Sequence, residues 1–285
     1  MSAPEGDKPI ALVCGAGSLP LAIADLLERR GRKVLLFPLQ GIVRTQDYAV
    51  RPHKFVRVAQ LGTFLRAMRA AECRELVMIG SVPRPALWQI RFDWESIKLL
   101  RRFIAAFRGG DDHLLRSAAK TLEQYGIVLR GAHEVAPEIL VPVGALGRLQ
   151  PCEGDREDIV FGLDYLQAAG RFDIGQAVVV ANRHVLAVEA AEGTDGMLAR
   201  VAELRANGGI RSSGGVMVKA PKPQQDRRFD LPSIGPTTVE GVKRAGLSGI
   251  AVTAGETVMA EPSTLAAEAD RAGLFVFGVA PGATA

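Results

Sequence analysis

Cysteine is scarce in this chain of 285 residues, and long hydrophobic runs are absent. The three cysteines, Cys14, Cys73 and Cys152, are odd in number and widely spaced. Disulfide frameworks use even numbers of cysteines in oxidising compartments, so we expect free thiols in a reducing compartment. The spacing also excludes a zinc-finger protein, because no two cysteines lie close enough in sequence to form a metal knuckle.

Aromatic residues and single-sign charge runs are also few. The chain has two tryptophans and three tyrosines, and it lacks a long lysine and arginine tract, which argues against a nucleic-acid partner. No stretch approaches the roughly 20 apolar residues of a membrane span. The N-terminus, MSAPEGDKP, lacks the features of a secretory signal. We therefore predict a cytoplasmic protein, and its net charge of +4 suits an anionic small molecule or a bilayer surface.

The first half alternates apolar runs of strand length with helical patterns. Because successive strands are separated by helices, right-handed crossovers and a mostly parallel sheet follow. We predict an α/β fold of two domains, with an N-terminal Rossmann-like domain and a second α/β domain. Ligands of such sheets bind beyond the carboxyl ends of the strands. Predicted strands occupy 9–14, 33–37, 75–79 and 126–130, and predicted helices occupy 19–30, 60–71 and 111–125.

The composition changes after residue 140. Residues 141–154, VPVGALGRLQPCEG, are rich in glycine and proline and show little periodicity, so we predict a linker. The predicted domains are therefore 1–140 and 155–285. The second domain restarts with a helix at 155–169. Strands follow near 176–180, 185–189, 216–219, 249–253 and 275–279, and helices fit 196–207, 236–245 and 262–272.

One amphipathic segment leaves two interpretations open. Residues 94–108, WESIKLLRRFIAAFR, place apolar side chains at helical spacing among basic residues. The helix either packs on its own domain or lies on a membrane surface.

A glycine-containing loop joins the first predicted strand to the first helix. Gly15 and Gly17 let the backbone approach a ligand, and the helix start at Ser18 offers N–H groups to a phosphate. As a dinucleotide fingerprint the loop is defective, because Pro20 holds the third glycine position and no acidic residue follows the second strand. A phosphate loop, a structural turn and an NAD site remain as alternatives.

Acidic residues occur at two further turns. Asp111 and Asp112 follow two glycines and precede a helix, where they either cap the helix or face a ligand. Glu189 lies at a strand end that suits a divalent cation, and the turn with Gly193 and Thr194 follows it.

The densest set of charged residues follows the predicted strand 216–219. Prolines make this stretch a loop, and it brings cations and carboxylates together as pyrophosphate hydrolysis requires. The alternative is a solvated surface loop. The candidates are Lys219, Lys222, Gln225, Asp226, Arg227, Arg228, Thr237 and Thr238.

These motifs together resemble the LpxI family, the UDP-2,3-diacylglucosamine pyrophosphatases of lipid A biosynthesis. The resemblance rests on the motifs at 15–20, 110–115, 192–195 and 222–238, in order along nearly the whole chain. It implies Mg²⁺-dependent hydrolysis of UDP-2,3-diacylglucosamine to 2,3-diacylglucosamine 1-phosphate (lipid X) and UMP. It also implies that the essential aspartate of the family is Asp226.

We therefore expect Asp226 to be catalytic and, with Glu189, to hold Mg²⁺. The expected partner is the acylated UDP-sugar, with transient contact at the cytoplasmic surface of the inner membrane and a homo-oligomer left open. Two other functions remain as alternatives: a nicotinamide-dependent oxidoreductase using the GAGSLP loop, and a non-catalytic nucleotide-sugar or lipid carrier. The expected substrate-binding residues are Gly15, Gly17, Ser18, Asp111, Asp112, Gly193, Thr194, Lys219, Lys222, Gln225, Arg227, Arg228, Thr237 and Thr238.

Overall fold

The computed structural model of the chain describes residues 9–57, 60–82, 119–223, 225–229 and 231–282. The chain divides into two units. The first comprises Met1–Pro137 with Asp226–Asp230, and the second comprises Glu138–Gln225 with Leu231–Ala285. A five-residue segment from the second half of the sequence therefore belongs to the first unit.

The first unit is built on a four-stranded parallel sheet with the strand order β2-β1-β3-β4. Its strands are mostly buried, as expected when a parallel sheet is covered by helices. This arrangement confirms the predicted α/β fold with a mostly parallel N-terminal sheet. The strands are β1 (Ile10–Cys14), β2 (Val34–Pro38), β3 (Glu75–Ile79) and β4 (Val128–Arg130), and the α-helices whose bounds fall within the described residues are α1 (Leu19–Arg29), α2 (Leu61–Ala70) and α3 (Ala132–Val135).

An aromatic pair marks the core of the first unit. The rings of Phe37 on β2 and Phe64 on α2 meet edge to face, with centroids 4.9 Å apart. Phe229, from the segment contributed by the second half of the sequence, packs against the same hydrophobic cluster. Burying a phenylalanine side chain stabilises a fold by about 1.5–3 kcal/mol. Phe229 therefore helps to fix that segment on the first unit.

The second unit contains a mixed six-stranded sheet with the order β5-β12-β10-β8-β6-β7. Strands β12, β10 and β8 are parallel, whereas β6 runs antiparallel to β8 and β7, and β5 runs antiparallel to β12. A separate two-stranded parallel pair joins β9 and β11. The strands are β5 (Gly144–Ala145), β6 (Ala177–Ala181), β7 (His184–Val188), β8 (Val216–Lys219), β9 (Ser233–Ile234), β10 (Gly249–Thr253), β11 (Val258–Met259) and β12 (Phe275–Val279).

Alternating side chains of this sheet enter two hydrophobic clusters. Val179 and Met217 pack in one cluster, and Val178 and Val218 pack in the other, because successive residues of a strand point to opposite faces. Helix α4 contributes to the cluster of Val178, and α5, α6 and α7 contribute to that of Val179. The sheet is thus covered on both faces. The helices are α4 (Glu153–Ala169), α5 (Gly193–Ala206), α6 (Pro236–Arg244) and α7 (Pro262–Ala272).

The hairpin between β6 and β7 turns through Asn182 and Arg183, whose φ angles are 53° and 58°. Two successive positive φ values define the turn that matches the twist of a hairpin. The buried carboxylate of Asp158 on α4 accepts hydrogen bonds from both backbone N–H groups, at 3.1 Å and 2.6 Å. A tertiary contact therefore compensates for a turn sequence that lacks glycine.

The segment 141–154, which the sequence predicts as a linker, lies within the second unit. It contains β5, which pairs with β12 at the sheet edge. Val141 N also donates a hydrogen bond to Thr257 O at 2.9 Å, and Asp155 Oδ2 accepts one from Cys152 N at 3.0 Å at the start of α4. A two-residue strand has no periodicity for sequence analysis to detect.

Candidate functional site

Three polar residues lie together where strands β6, β7 and β8 of the second unit begin or end. Lys219 is the last residue of β8, Gln176 precedes β6, and Glu189 follows β7. Because β6 is antiparallel to both of its neighbours, its beginning lies beside their ends: Ala177 pairs with Lys219, and Glu189 N donates to Ala177 O at 2.9 Å. This edge is also the carboxyl end of β10 and β12, where α/β sheets bind ligands.

A chain of hydrogen bonds joins Lys219 to Glu189 through Thr194. The Nζ of Lys219 donates to Thr194 Oγ1 at 2.9 Å and to Ser233 O at 3.1 Å. The Thr194 hydroxyl donates to Glu189 Oε1 at 2.7 Å, and Gln176 N donates to Glu189 Oε2 at 2.8 Å. Lys219 is 5% exposed and Glu189 is 7% exposed. Two buried, oppositely charged side chains therefore share one hydroxyl group.

Helix α5 begins beside this chain of hydrogen bonds. Gly193 is the first residue of α5 and has a φ of +74°, a conformation that favours glycine. Thr194 occupies the next position, so its side chain reaches Glu189 and Lys219 from the first turn of the helix.

Lys222 and Gln225 extend the network along the loop after β8. Lys222 Nζ donates to Asp173 Oδ1 at 2.7 Å, and Lys222 N donates to Gln225 Oε1 at 3.0 Å. Gln225 Nε2 reaches Gln176 Oε1 at 3.4 Å, a long hydrogen bond. Through Gln176, the loop is connected to the carboxylate of Glu189.

The two threonines at the start of α6 have different environments. Thr238 is buried, and its Oγ1 accepts a hydrogen bond from Gly235 N at 3.3 Å, which caps the helix. Thr237 is exposed in the same turn. Helix capping accounts for the Thr238 side chain without a ligand.

Asp226 lies in the segment that belongs to the first unit, where Arg228 contacts it. Arg228 Nε lies 3.1 Å from Asp226 Oδ1, and Arg228 Nη2 lies 2.9 Å from Asp226 Oδ2. Arg228 Nη1 also donates to Glu123 Oε1 at 2.8 Å. Hydrogen bonds to Asp226 first, and then to Glu123, raise the pKa of Arg228 above its ordinary value. The Asp226 side chain is 18% exposed, so this carboxylate is held in place and is partly accessible.

The neighbouring residues of this segment contact other parts of the first unit. The Arg228 guanidinium stacks over the Phe229 ring at 5.2 Å from its centroid. Burial lowers the pKa of His133 on α3; Glu134 opposes this shift, and the positive charge of Arg227 adds to it. The Nδ1 atom of His133 is buried and has no hydrogen-bond partner among the residues described. Burial and the nearby charge of Arg227 therefore both favour the neutral form of the His133 imidazole.

The glycine loop after β1 contacts the last residue of β3 and the residues that follow it. Gly15 N donates to Ile79 O at 2.8 Å, and Ala16 and Ser81 form a β-bridge. A Cβ atom on Gly15 would lie 2.6 Å from Ser81 O, so only glycine allows this approach. Gly17, with a φ of +106°, and Ser18 complete the turn into α1. Close backbone packing explains Gly15 without a phosphate.

Glu189 and Asp226, the two residues expected to hold a metal ion, are not equally suited to bind one. Both carboxylate oxygens of buried Glu189 accept hydrogen bonds within the protein, which suits the positioning of Thr194 and Gln176 better than cation binding. Within 9–57, 60–82, 119–223, 225–229 and 231–282, no group of three or more His, Cys, Asp and Glu side chains could hold a metal ion. Mg²⁺ commonly binds one or two carboxylates and completes its shell with water and phosphate oxygens. The oxygen donors of Asp226 fit that pattern.

Some of the predicted features lie outside the described residues. These are Asp111, Asp112 and the amphipathic segment 94–108. In the part of the chain that is described, no helix combines the length and the hydropathy needed to cross a membrane.

Four of the residues that complete these networks are not indicated by the sequence. Gln176 and Asp173 connect the loop after β8 to the sheet edge, and Glu123 and His133 lie near the Asp226 segment. Each is far in sequence from its partner, so no local pattern reveals it. Of these four residues, only Gln176 has a position, at the start of a predicted strand, from which a place at the end of the sheet could be inferred.

Comparison with known proteins first defines the class of this two-domain α/β protein. The profile of the LpxI N-terminal domain matches residues 9–139, and that of the LpxI C-terminal domain matches residues 142–277. A relative from Caulobacter vibrioides, UDP-2,3-diacylglucosamine pyrophosphatase LpxI, is 39% identical over 276 residues, which are 96% of this chain and 98% of the relative. The chain belongs to the LpxI family. The resemblance inferred from the motifs is thereby confirmed.

A solved structure of UDP-glucose 4-epimerase from Thermus thermophilus, in complex with NAD, is 14% identical to this chain. The likeness covers 97% of this chain and 88% of the epimerase, with a TM-score of 0.28. At that TM-score it supports no conclusion about this protein.

Proposed function

We propose that this chain hydrolyses the pyrophosphate bond of UDP-2,3-diacylglucosamine and releases 2,3-diacylglucosamine 1-phosphate and UMP. The observation that carries the proposal is the 39% identity over 96% of the chain to a relative named for that pyrophosphatase activity. Because the two domain profiles match 9–139 and 142–277, the similarity is not confined to one half.

The reaction requires water, an oriented nucleophile and positive charge. The oxygen of a water molecule forms a bond to one phosphorus, and the bond from that phosphorus to the bridging oxygen breaks. The bridging oxygen leaves with the electron pair on the other phosphate, and the attacking water gives up a proton to the solvent. Negative charge grows on the phosphoryl oxygens, so fixed positive groups favour the transition state.

Asp226 is the proposed catalytic residue. Arg228 contacts both of its carboxylate oxygens, which fixes the plane of the carboxylate. A fixed carboxylate can orient the attacking water or serve as one ligand of Mg²⁺. When bound, Mg²⁺ would supply positive charge to the pyrophosphate oxygens.

The basic residues of the loop are the proposed source of positive charge. Arg228 contacts Asp226 and Glu123, and Lys222 contacts Asp173. We assign Lys219, Lys222, Arg227 and Arg228 together to offsetting the charge that builds on the phosphates. In a buried setting such as that of Lys219, an electrostatic interaction is stronger than in water.

We also propose that the protein works in the cytoplasm with transient contact at the inner membrane. Cys14, Cys73 and Cys152 are all free, as expected of a reducing compartment. The substrate carries two acyl chains, and each methylene that leaves water gains about 0.8 kcal/mol, which draws the substrate to the bilayer.

The test is the release of UMP from UDP-2,3-diacylglucosamine by the purified chain, with Mg²⁺ and with EDTA. We expect Mg²⁺-dependent turnover in the wild type and a loss of about 100-fold or more in Asp226→Asn. The matched control is Asp164→Asn, an exposed carboxylate on α4, which should keep turnover within about 3-fold of wild type. Absence of UMP release from the wild type refutes the function. Near-normal turnover by Asp226→Asn refutes the catalytic assignment alone.

A further inference from the structure

Lys219, at the end of β8 in the second unit, is buried, and its Nζ has defined hydrogen-bond partners. Lys219 is 5% exposed, and its Nζ donates to the hydroxyl of Thr194 and to the carbonyl of Ser233. A lysine is rarely buried to this degree unless its charge is compensated. Burial without compensation would favour loss of the proton, and with it loss of the positive charge.

The direction of each hydrogen bond in the chain is fixed by the groups themselves. An ammonium has donors only, and an ionised carboxylate has acceptors only. The hydroxyl of Thr194 must therefore accept from Lys219 and give its single proton to Glu189 Oε1, at 2.9 Å and 2.7 Å. The charges at both ends polarise the hydroxyl in the same sense, which strengthens both hydrogen bonds.

Glu189 is the carboxylate that the Thr194 hydroxyl connects to Lys219, and both of its carboxylate oxygens accept hydrogen bonds. Gln176 N donates to Glu189 Oε2 at 2.8 Å, so the carboxylate is fixed at both oxygens. A Cβ atom on Gly175 would lie 2.5 Å from Glu189 O, which shows how closely the backbone packs at this point. The carboxylate therefore has little freedom to move away from Thr194.

We propose that Thr194 and Glu189 are positioning residues that hold the ammonium of Lys219, charged and fixed in direction, for the pyrophosphate of the substrate. This inference rests on the proposed function. Lys219 then stabilises the negative charge of the phosphates, and Thr194 and Glu189 act by holding Lys219 in place. Glu189 is then the internal counter-ion of a lysine instead of a metal ligand.

The experiment measures kcat and KM for UMP release at saturating Mg²⁺ in Thr194→Val, Thr194→Ser and Glu189→Gln. Thr194→Val keeps the shape of the side chain but removes the bridge, so kcat should fall about 10-fold or more while KM changes less. Thr194→Ser restores the hydroxyl and should return kcat to within about 3-fold of wild type. Glu189→Gln removes the charge and should also lower kcat about 10-fold.

A second set of variants separates positioning from simple stability. In a Lys219→Met background, Thr194→Val should cause less than about a 3-fold further loss, because residues that act as one unit are not additive. Thr257→Val is the matched control: its buried hydroxyl has no hydrogen-bond partner among the described residues, so kcat should not change. The melting temperature of every variant reports folding, and Glu189→Gln serves as the test if Thr194→Val does not fold.

Three outcomes overturn the inference. If Thr194→Val and Glu189→Gln keep kcat within about 3-fold of wild type, the network does not position Lys219. If Thr194→Val lowers kcat about a further 10-fold in the Lys219→Met background, the two substitutions are additive, and Thr194 does not act through Lys219. If wild-type protein releases no UMP, the proposed function fails and the inference fails with it, whereas in the first two outcomes the proposed function stands.

Discussion

Arg228 holds the carboxylate of Asp226 from two positions further along the chain. Its Nε and Nη2 lie 3.1 Å and 2.9 Å from the two carboxylate oxygens, and its backbone N donates to Oδ1 at 3.1 Å. These contacts are local in sequence, so the orientation of the carboxylate relative to its own backbone is set within three residues. The segment therefore supplies a carboxylate in a fixed plane.

We expect Arg228→Lys to lower kcat by about 10-fold to 100-fold. Lysine offers a point charge in place of the planar fork, so it cannot contact both oxygens of Asp226 in the same way. Arg228 also stacks over Phe229, a contact that lysine reproduces poorly. The measurement is steady-state UMP release by the variant and the wild type. Unchanged kcat would show that the carboxylate needs no support from the guanidinium.

We expect Glu123→Gln to have little effect, with kcat within about 3-fold of wild type. Glu123 contacts the outer nitrogen of Arg228, and the ion pair is exposed, so it contributes about 0–1 kcal/mol. Glu123→Gln removes this charge and leaves the contacts between Arg228 and Asp226 in place. A loss comparable to that of Arg228→Lys would mean that Glu123 has a direct role in the reaction.

Strands β8, β10 and β12 of the second unit could be predicted well because each is a mostly buried apolar run of typical length. The predictions 216–219, 249–253 and 275–279 coincide with β8, β10 and β12. The pairing of β5 with β12 could not be predicted, since it joins two residues of an aperiodic segment to a strand that is distant in sequence.

The candidate residues also differ in this way: local motifs indicate some of them, whereas the contacts of others come from residues far away in sequence. The motifs place Thr194 in the turn after the predicted strand 185–189 and Lys219 at the start of the charged loop, and both are among the expected substrate-binding residues. The expectation that Glu189 holds a metal ion rests on its position at a strand end, and the sequence does not reveal that Gln176 and Thr194 donate hydrogen bonds to its carboxylate.

The stability of the protein should depend on His133 at mildly acidic pH. Burial lowers the pKa of His133 below the ordinary value of 6.5, so the unfolded chain takes up this proton first as the pH falls. The free energy of unfolding should therefore decrease as the pH falls below about 6.5, through the range between the unfolded and folded values. Urea unfolding at pH 7.5 and pH 5.5 should show a smaller decrease in His133→Gln than in wild type. Equal decreases in the two proteins would contradict this assignment.

The close approach at Gly15 should make Gly15→Ala destabilising by about 1–3 kcal/mol. The new Cβ would meet backbone atoms of Ser81 and Gly80, which cannot rotate away as a side chain can. The matched control is Gly154→Ala in the first turn of α4, where a Cβ meets nothing within 4 Å. This control should be neutral or more stable by about 0.4–1 kcal/mol. Urea denaturation measures both, and equal effects would argue against the packing explanation.

Thiol labelling at pH 8 should modify one cysteine of the native protein quickly. Burial raises the pKa of Cys14 to about 12 and that of Cys73 to about 11, so both remain thiols under these conditions. Cys152 is exposed and should react first. Mass spectrometry after brief treatment with iodoacetamide should find one label before denaturation and three afterwards. Rapid double labelling of the folded protein would show that one buried cysteine is accessible.

The assignment of Asp226–Asp230 to the first unit has a consequence for the way the gene can be divided. A fragment that stops at Pro137 lacks Phe229, and so leaves bare the patch of its core that this ring covers. Likewise, a chimaera that takes its N-terminal portion from another species keeps a mismatched Phe229 segment unless these five codons are exchanged as well. The two portions are thus not independent, and recombination that keeps Phe229 with its own core requires two breakpoints around residues 226–230 in addition to the one near residue 137.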